Sequence, residues 1–178
     1  MSYLEKINKA YLVFLYYLIS LIDYKNNKKV KIFFKNKFKE SSLVVIDIGA
    51  HKGETINFFL KNFNIKNIYA FEPNINVFRI IEKKYKKINN IHVFNLGLGD
   101  KERNGNLNIL KDTSSSTFMH LNKDSKYFKR KAKIINLLSK NIFTSNEKVK
   151  IITLNDFFTI HKINFIDILK IDTEGYEF

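Results

Sequence analysis

The apolar run Leu43-Val44-Val45-Ile46-Asp47-Ile48 breaks at Gly49-Ala50-His51-Lys52-Gly53, and the next one, Ile68-Tyr69-Ala70-Phe71, breaks at Glu72-Pro73. This pair of breaks constrains the fold more tightly than anything else in the chain. A short run that is apolar at successive positions is a strand buried on both faces, as in a parallel sheet covered by helices. A strand that stops at glycine lets backbone N–H groups approach a ligand closely, because no Cβ blocks the way. In doubly wound sheets an acid at the tip of the second strand accepts from ribose hydroxyls, and Glu72 stands at that place. The spacing points to a nucleoside cofactor.

A dinucleotide site needs Gly-x-Gly-x-x-Gly, so that the pyrophosphate rests on a helix N-terminus. Here Asp47 stands where that pattern has its first glycine, and a carboxylate would repel a pyrophosphate. A nicotinamide oxidoreductase is disfavoured on that ground. An acid suits a cofactor with a cationic amino-acid end, and S-adenosylmethionine carries both an ammonium and a sulfonium. The plain alternative is an ordinary strand-to-helix turn, with Asp47 and Glu72 capping the helices that follow them.

The rest of the main fold reads as alternating strands and helices. After a strand over Leu43–Gly49 come a helix over Glu54–Phe63, a strand over Asn67–Phe71, and a helix over Asn74–Lys87. That second helix sets Val77, Ile80, Ile81 and Tyr85 on one face. Ile91–Leu96 is a third strand, Asn106–Leu110 and Val149–Thr153 are strands in a less regular region, and Phe165–Ile171 is a last buried strand. The order argues an α/β, doubly wound, Rossmann-like sheet. Ligands in such sheets bind beyond the carboxyl ends of the strands. Asp47, Glu72, the residues after the third strand, and Asp172 all fall on that edge.

Domain organisation follows from this pattern: residues 1–40 form an N-terminal helical extension and residues 41–178 the main domain. The last strand comes just before Phe178, where a doubly wound sheet would add a helix and further strands. The sheet is thus expected to be incomplete at the C-terminus, its last strand at an edge with an uncovered apolar side. The sequence reads as the front part of a longer protein.

Composition narrows the function classes. There is no cysteine, so disulfides, cysteine-based zinc sites and cysteine nucleophiles are excluded. The histidines (His51, His92, His120, His161) are scattered without metal-ligand spacing, and no metal is expected. The net charge of +14 invites a nucleic-acid reading. All the basic residues except Arg79, Arg103 and Arg130 are lysines, however, and they are dispersed. The chain is also rich in Asn, Ile, Phe and Tyr, the usual product of an AT-rich coding sequence. Base readout favours clustered, bidentate guanidinium groups. Nucleic acid is the weaker partner on this count.

Ala10–Ile22 is nearly uninterrupted apolar sequence between Lys9 and Asp23. As a helix it rises about 20 Å, short of the roughly 30 Å hydrocarbon core. Ile19-Ser20-Leu21-Ile22-Asp23 offers no small-x-small cleavage site. A buried accessory helix in a cytoplasmic protein is the first reading; peripheral docking on a membrane or partner is the second.

The strings Val45-Ile46-Asp47-Ile48-Gly49-Ala50-His51-Lys52-Gly53, Ala70-Phe71-Glu72-Pro73, Asn95-Leu96-Gly97-Leu98-Gly99-Asp100 and Leu169-Lys170-Ile171-Asp172-Thr173-Glu174-Gly175-Tyr176-Glu177 resemble the FkbM-type methyltransferases. These are S-adenosylmethionine-dependent O-methyltransferases. The last string is the most specific; the first is shared by many methyltransferases. The resemblance covers about Leu43 to Phe178, and family members continue beyond its final motif. It implies methyl transfer to a hydroxyl of a sugar, glycolipid or other small acceptor.

The resemblance also implies roles. Gly49, Ala50 and Gly53 would wrap the methionine end of the cofactor, Asp47 would steer its ammonium, Glu72 would take the ribose hydroxyls, and Asn95 would border the adenine. Asp172 and Glu174 are the catalytic candidates. A sugar hydroxyl is a poor nucleophile, and a carboxylate that accepts its proton assists the displacement. His51 is a third base candidate, with bonding to the turn backbone as its alternative. The hydroxyl cluster Thr113–Thr117 would line the acceptor pocket or form a solvated loop. The competing functions are a nucleic-acid methyltransferase and a non-catalytic or degenerate cofactor-binding module.

Overall fold

The computed structural model describes residues 28–39, 41–110, 116–118, 126 and 143–173. The chain divides into two compact units, residues 1–39 with 122–142, and residues 40–121 with 143–178. In the first unit, residues 28–38 are helical. Phe34 meets Phe33 and Phe38 in tilted ring contacts at centroid distances of 5.5 and 5.8 Å. Ala10–Ile22 lies outside the described residues. Among those residues, no helix is long and apolar enough to cross a membrane.

The second unit holds the motifs. Its strands are β1 (Leu43–Ile48), β2 (Ile65–Phe71), β3 (Ile91–Phe94), β4 (Gly97–Leu98), β5 (Arg103–Leu110), β6 (Phe143–Ile152) and β7 (Ile168–Ile171). Its helices are α1 (Glu54–Asn62), α2 (Ile75–Tyr85) and α3 (Leu154–His161). A four-stranded sheet runs in the order β3-β2-β1-β7, with every pair parallel. A three-stranded sheet follows the order β4-β6-β5, in which β5 and β6 are antiparallel. The architecture is α/β, a mostly parallel Rossmann-like sheet with flanking helices.

The apolar runs do what their composition dictates. Val45, Ile46, Ile68, Ala70 and Phe71 are fully buried, because a central parallel strand has no solvent face. Ile46, Ile48 and Phe71 pack with Leu98, Ile152 and Phe157 in one cluster. Phe157, from α3, stands edge-on to Phe71 at 4.7 Å and to Phe94 at 4.9 Å, a favoured aromatic arrangement. On α2, Val77, Ile81 and Tyr85 are buried as expected, but Ile80 is 55% exposed. Positions 77, 81 and 85 repeat at i, i+4, i+8, and a residue one step before that row turns toward the edge of the buried stripe.

Helix α3 was not foreseen. Its signal is Thr153-x-x-Asp156, a capping arrangement. The Thr153 hydroxyl oxygen accepts from the Asp156 N–H at 3.0 Å, and the hydroxyl donates to Asp156 Oδ2 at 2.7 Å. The pair β5/β6 is longer than the apolar runs suggested. Arg103–Leu110 alternates polar and buried positions, and Leu107 and Ile109 close on Val149. β7 starts later than expected: Phe165 precedes it and is 68% exposed. Asp167 fixes its register by donating its N–H to Val44 O at 2.9 Å and accepting from the Val44 N–H through Oδ2 at 2.8 Å. β7 ends the four-stranded sheet, and Leu169 and Ile171 are exposed there.

Candidate active site

The parallel register aligns the strand ends. Ile48 pairs with Phe71 and with Ile171, and Phe71 pairs with Phe94. One residue further along each strand stand Gly49, Glu72, Asn95 and Asp172. Four of the residues singled out from sequence therefore share one row, with Asp47 one step inside it. Backbone bonds hold the row: the Gly49 and Ala50 N–H groups both donate to Phe71 O, Glu72 N–H to Phe94 O, and Asp172 N–H to Ile48 O, each at 3.0 Å.

The two glycines of the turn have φ of +78° (Gly49) and +80° (Gly53), the left-handed region that glycine enters without steric cost. Their missing Cβ is used by the protein itself. A Cβ on Gly49 would lie 2.0 Å from the Asp172 carbonyl oxygen, and one on Gly53 would lie 2.6 Å from the Tyr85 hydroxyl. The N–H groups of Gly49, Ala50, His51 and Gly53 are all spent internally, on Phe71 O, Glu72 and Ala50 O. A phosphate-binding turn would keep such donors free. The close approach inferred from the sequence exists, but it joins β1 to β7 and α1 to α2.

Asp47 is fully buried. Neither carboxylate oxygen accepts a well-formed hydrogen bond among the described residues. Its compensation is the Lys170 ammonium, 3.1 Å from Oδ1. Asp47 and Lys170 are paired across β1 and β7, so their side chains leave the sheet on the same face. Burial pushes the Asp47 carboxyl up to about 6, and Lys170 limits the rise.

Glu72 is nearly as buried but differently supplied. Oε1 accepts from the Asn74 N–H at 2.9 Å, and Oε2 from the His51 N–H at 2.8 Å. Burial still raises it to about 7 against those two donors. Neither acid caps a helix. The N-cap of α1 is Gly53, which provides no side-chain bond. The N-cap of α2 is Asn74, whose Oδ1 accepts from Asn76 and Val77. The capping alternative fails for both acids.

Asn95 spends its amide on the backbone, donating to Glu72 O at 2.9 Å and to Pro73 O at 2.8 Å. It fixes the loop that carries Glu72. Asp172 is 64% exposed, with Oδ2 3.6 Å from the Lys170 ammonium. His51, at φ +45°, faces Glu54 with Nδ1 3.4 Å from Oε1. Glu174 lies outside the described residues. Of the Thr113–Thr117 cluster, Ser116 and Thr117 are described. Thr117 bridges to Asn108 through backbone bonds in both directions, so it belongs to the second sheet's edge rather than to a solvated loop. Lys170 is the site residue that the sequence reading passed over. Its signal was the alternation Lys170-x-Asp172, which places both side chains on the Asp47 face.

A parallel α/β sheet flanked by helices, with acids at the tips of adjacent central strands, defines a Rossmann-like protein whose candidate site is at the strand ends. The family model of the methyltransferase FkbM domain matches residues 47–178. The chain belongs to that family, and it is a methyltransferase. Searches among curated proteins and among solved structures gave no match.

Proposed function

We propose that this methyltransferase uses S-adenosylmethionine as donor and methylates a hydroxyl of a sugar, glycolipid or other small acceptor. The observation that carries the reading is the sealed Asp47 carboxylate, short of hydrogen-bond donors. A buried carboxylate is costly unless it is compensated, and a ligand bearing an ammonium supplies the compensation. Glu72 supports the same reading. Each of its oxygens has accepted one backbone N–H and keeps a lone pair for a hydroxyl donor.

When bound, the donor supplies a methyl group activated by a sulfonium. The chain's own residues bind and orient. Asp47 holds the cationic end, Glu72 the ribose, and Asn95 keeps the Glu72 loop in place. Asp172, exposed at the tip of β7, accepts the proton of the acceptor hydroxyl as the new bond forms. Glu174 is proposed beside it from the family motif alone. The acceptor is a small molecule or carbohydrate rather than nucleic acid, and Ala10–Ile22 is a candidate for peripheral membrane contact.

Calorimetry with S-adenosylmethionine, and with NADH as control, tests this function. Saturable binding of the first and none of the second is expected, weakened by Glu72→Ala and by Asp47→Asn. Binding of NADH alone would overturn the reading. For the catalytic half, Asp172→Asn should retain donor binding and lose turnover; near-normal turnover would remove Asp172 from the mechanism.

A further inference from the structure

The Lys170 ammonium stands in a cage of three oxygens. It donates to Gly49 O at 2.8 Å, and lies 3.1 Å from Asp47 Oδ1 and 3.6 Å from Asp172 Oδ2. A backbone carbonyl at a strand tip, a buried carboxylate and an exposed carboxylate together make a receptor for a primary ammonium, which has three donors to place. The chain fills this receptor with its own side chain.

A second ammonium cannot be added without penalty. Two like charges about 4 Å apart repel by about 4 kcal/mol at the effective dielectric of a protein surface. Lys170 also has somewhere to go. Its side chain is 27% exposed, its stem is flexible, and Asp172 offers an outer station on the solvent side.

We propose that Lys170 is a resident counter-ion for Asp47, which the ammonium of the methyl donor displaces. The inference rests on the function proposed above and assigns Lys170 a positioning role in it. Lys170 keeps Asp47 compensated while the site is empty. It also makes the site selective, because only a ligand carrying its own cation leaves Asp47 compensated once Lys170 has moved. An adenosyl ligand without an ammonium must leave Lys170 in place.

The test is brief amine-reactive labelling of the native chain, read lysine by lysine by peptide mass spectrometry. It is run without ligand, with S-adenosylmethionine, and with 5′-methylthioadenosine, which lacks the amino-acid end. Lys150, paired with Glu102 at 2.7 Å on the second sheet, is the internal reference. Labelling of Lys170 should rise at least about fivefold with S-adenosylmethionine, the low end of typical coupling between sites. It should not rise with 5′-methylthioadenosine. Calorimetry on Lys170→Met should show S-adenosylmethionine binding at least as tight as in the native chain; if that variant does not fold, the labelling decides. Donor binding without a rise in Lys170 labelling, or a folded Lys170→Met that binds less tightly, overturns the displacement and leaves the proposed function standing. Failure of both adenosyl ligands to bind overturns the function, and the displacement falls with it.

Discussion

Asp47 and Glu72 sit at the ends of neighbouring strands, and burial lifts both carboxyls, to about 6 and about 7. They are accommodated in opposite ways. Glu72 gives one oxygen to each of two backbone N–H groups, from His51 and Asn74, and so ties the β1 turn to the β2 loop. Asp47 ties nothing by well-formed hydrogen bonds among the described residues and depends on one cation, Lys170. The first acid is scaffold that has lone pairs to spare. The second is held by an ion pair alone. Removing each should therefore hurt different things, and the effects on stability run from the turn that joins the two acids to Asp47 itself.

The largest loss belongs to Gly49, between the two. Gly49→Ala puts a Cβ 2.0 Å from the Asp172 carbonyl oxygen, at a φ of +78°. The neighbour is backbone just past the end of β7, held by its N–H bond to Ile48 O, and has no rotamer to escape into. A loss of about 4 kcal/mol or more in urea unfolding is expected, large against total domain stability. A loss below about 1 kcal/mol would mean that the β1 and β7 tips are not locked together.

Glu72→Ala comes next. It strands the His51 and Asn74 N–H groups, and each buried unpaired donor costs about 1–3 kcal/mol. A loss of about 2–4 kcal/mol is expected, with Glu72→Gln milder because one amide oxygen still accepts. If Glu72→Ala is as stable as the native chain, Glu72 is not scaffold and the contrast with Asp47 collapses.

How far this contrast could be read from sequence depends on what each feature needs. The strands β1 and β2 were legible because a doubly buried strand is written in consecutive apolar letters. The row of strand-end residues followed from parallel register, which the alternation of strands and helices already implied. The support around each acid was not legible. Asn74 and Asn95 are ordinary loop asparagines in sequence, and only the fold shows one capping α2 and the other clasping Glu72 and Pro73. Lys170 was hidden among many lysines, because its pairing with Asp47 joins residues far apart in the chain. Helix α3 is eight residues long with few apolar repeats, so its cap carried more signal than its periodicity. Ile80 shows the converse: an apolar letter on a helix does not by itself locate the buried stripe.

Acid pH moves both carboxylates together and by less. Each has a folded value above its unfolded one, 3.8 for Asp47 and 4.5 for Glu72. The folded state therefore holds protons more tightly. These two groups stabilise it most below about pH 4, and that contribution is lost as pH rises through about 6 and 7. Urea unfolding should show this pair adding up to a few kcal/mol between pH 7.5 and pH 5. In Asp47→Asn the dependence should shrink to the Glu72 part. An unchanged pH profile in that variant would mean that Asp47 titrates normally.

The smallest effect on stability is expected from Asp47→Asn itself. The substitution removes one partner of an ion pair, and its cost is large only where the other charge is left buried and uncompensated. Lys170 keeps Gly49 O and Asp172 as partners, so it is not left stranded. Stability at pH 7.5 should stay within about 1 kcal/mol of native, while the affinity for S-adenosylmethionine drops at least about tenfold, the fall expected from losing about 1.4 kcal/mol of charge-assisted binding. Native affinity should fall in the same way as pH drops below about 6, because a protonated Asp47 offers the ammonium no charge. A variant that keeps its fold and loses the donor separates the binding acid from the structural one. A variant that loses both would make Asp47 a second Glu72.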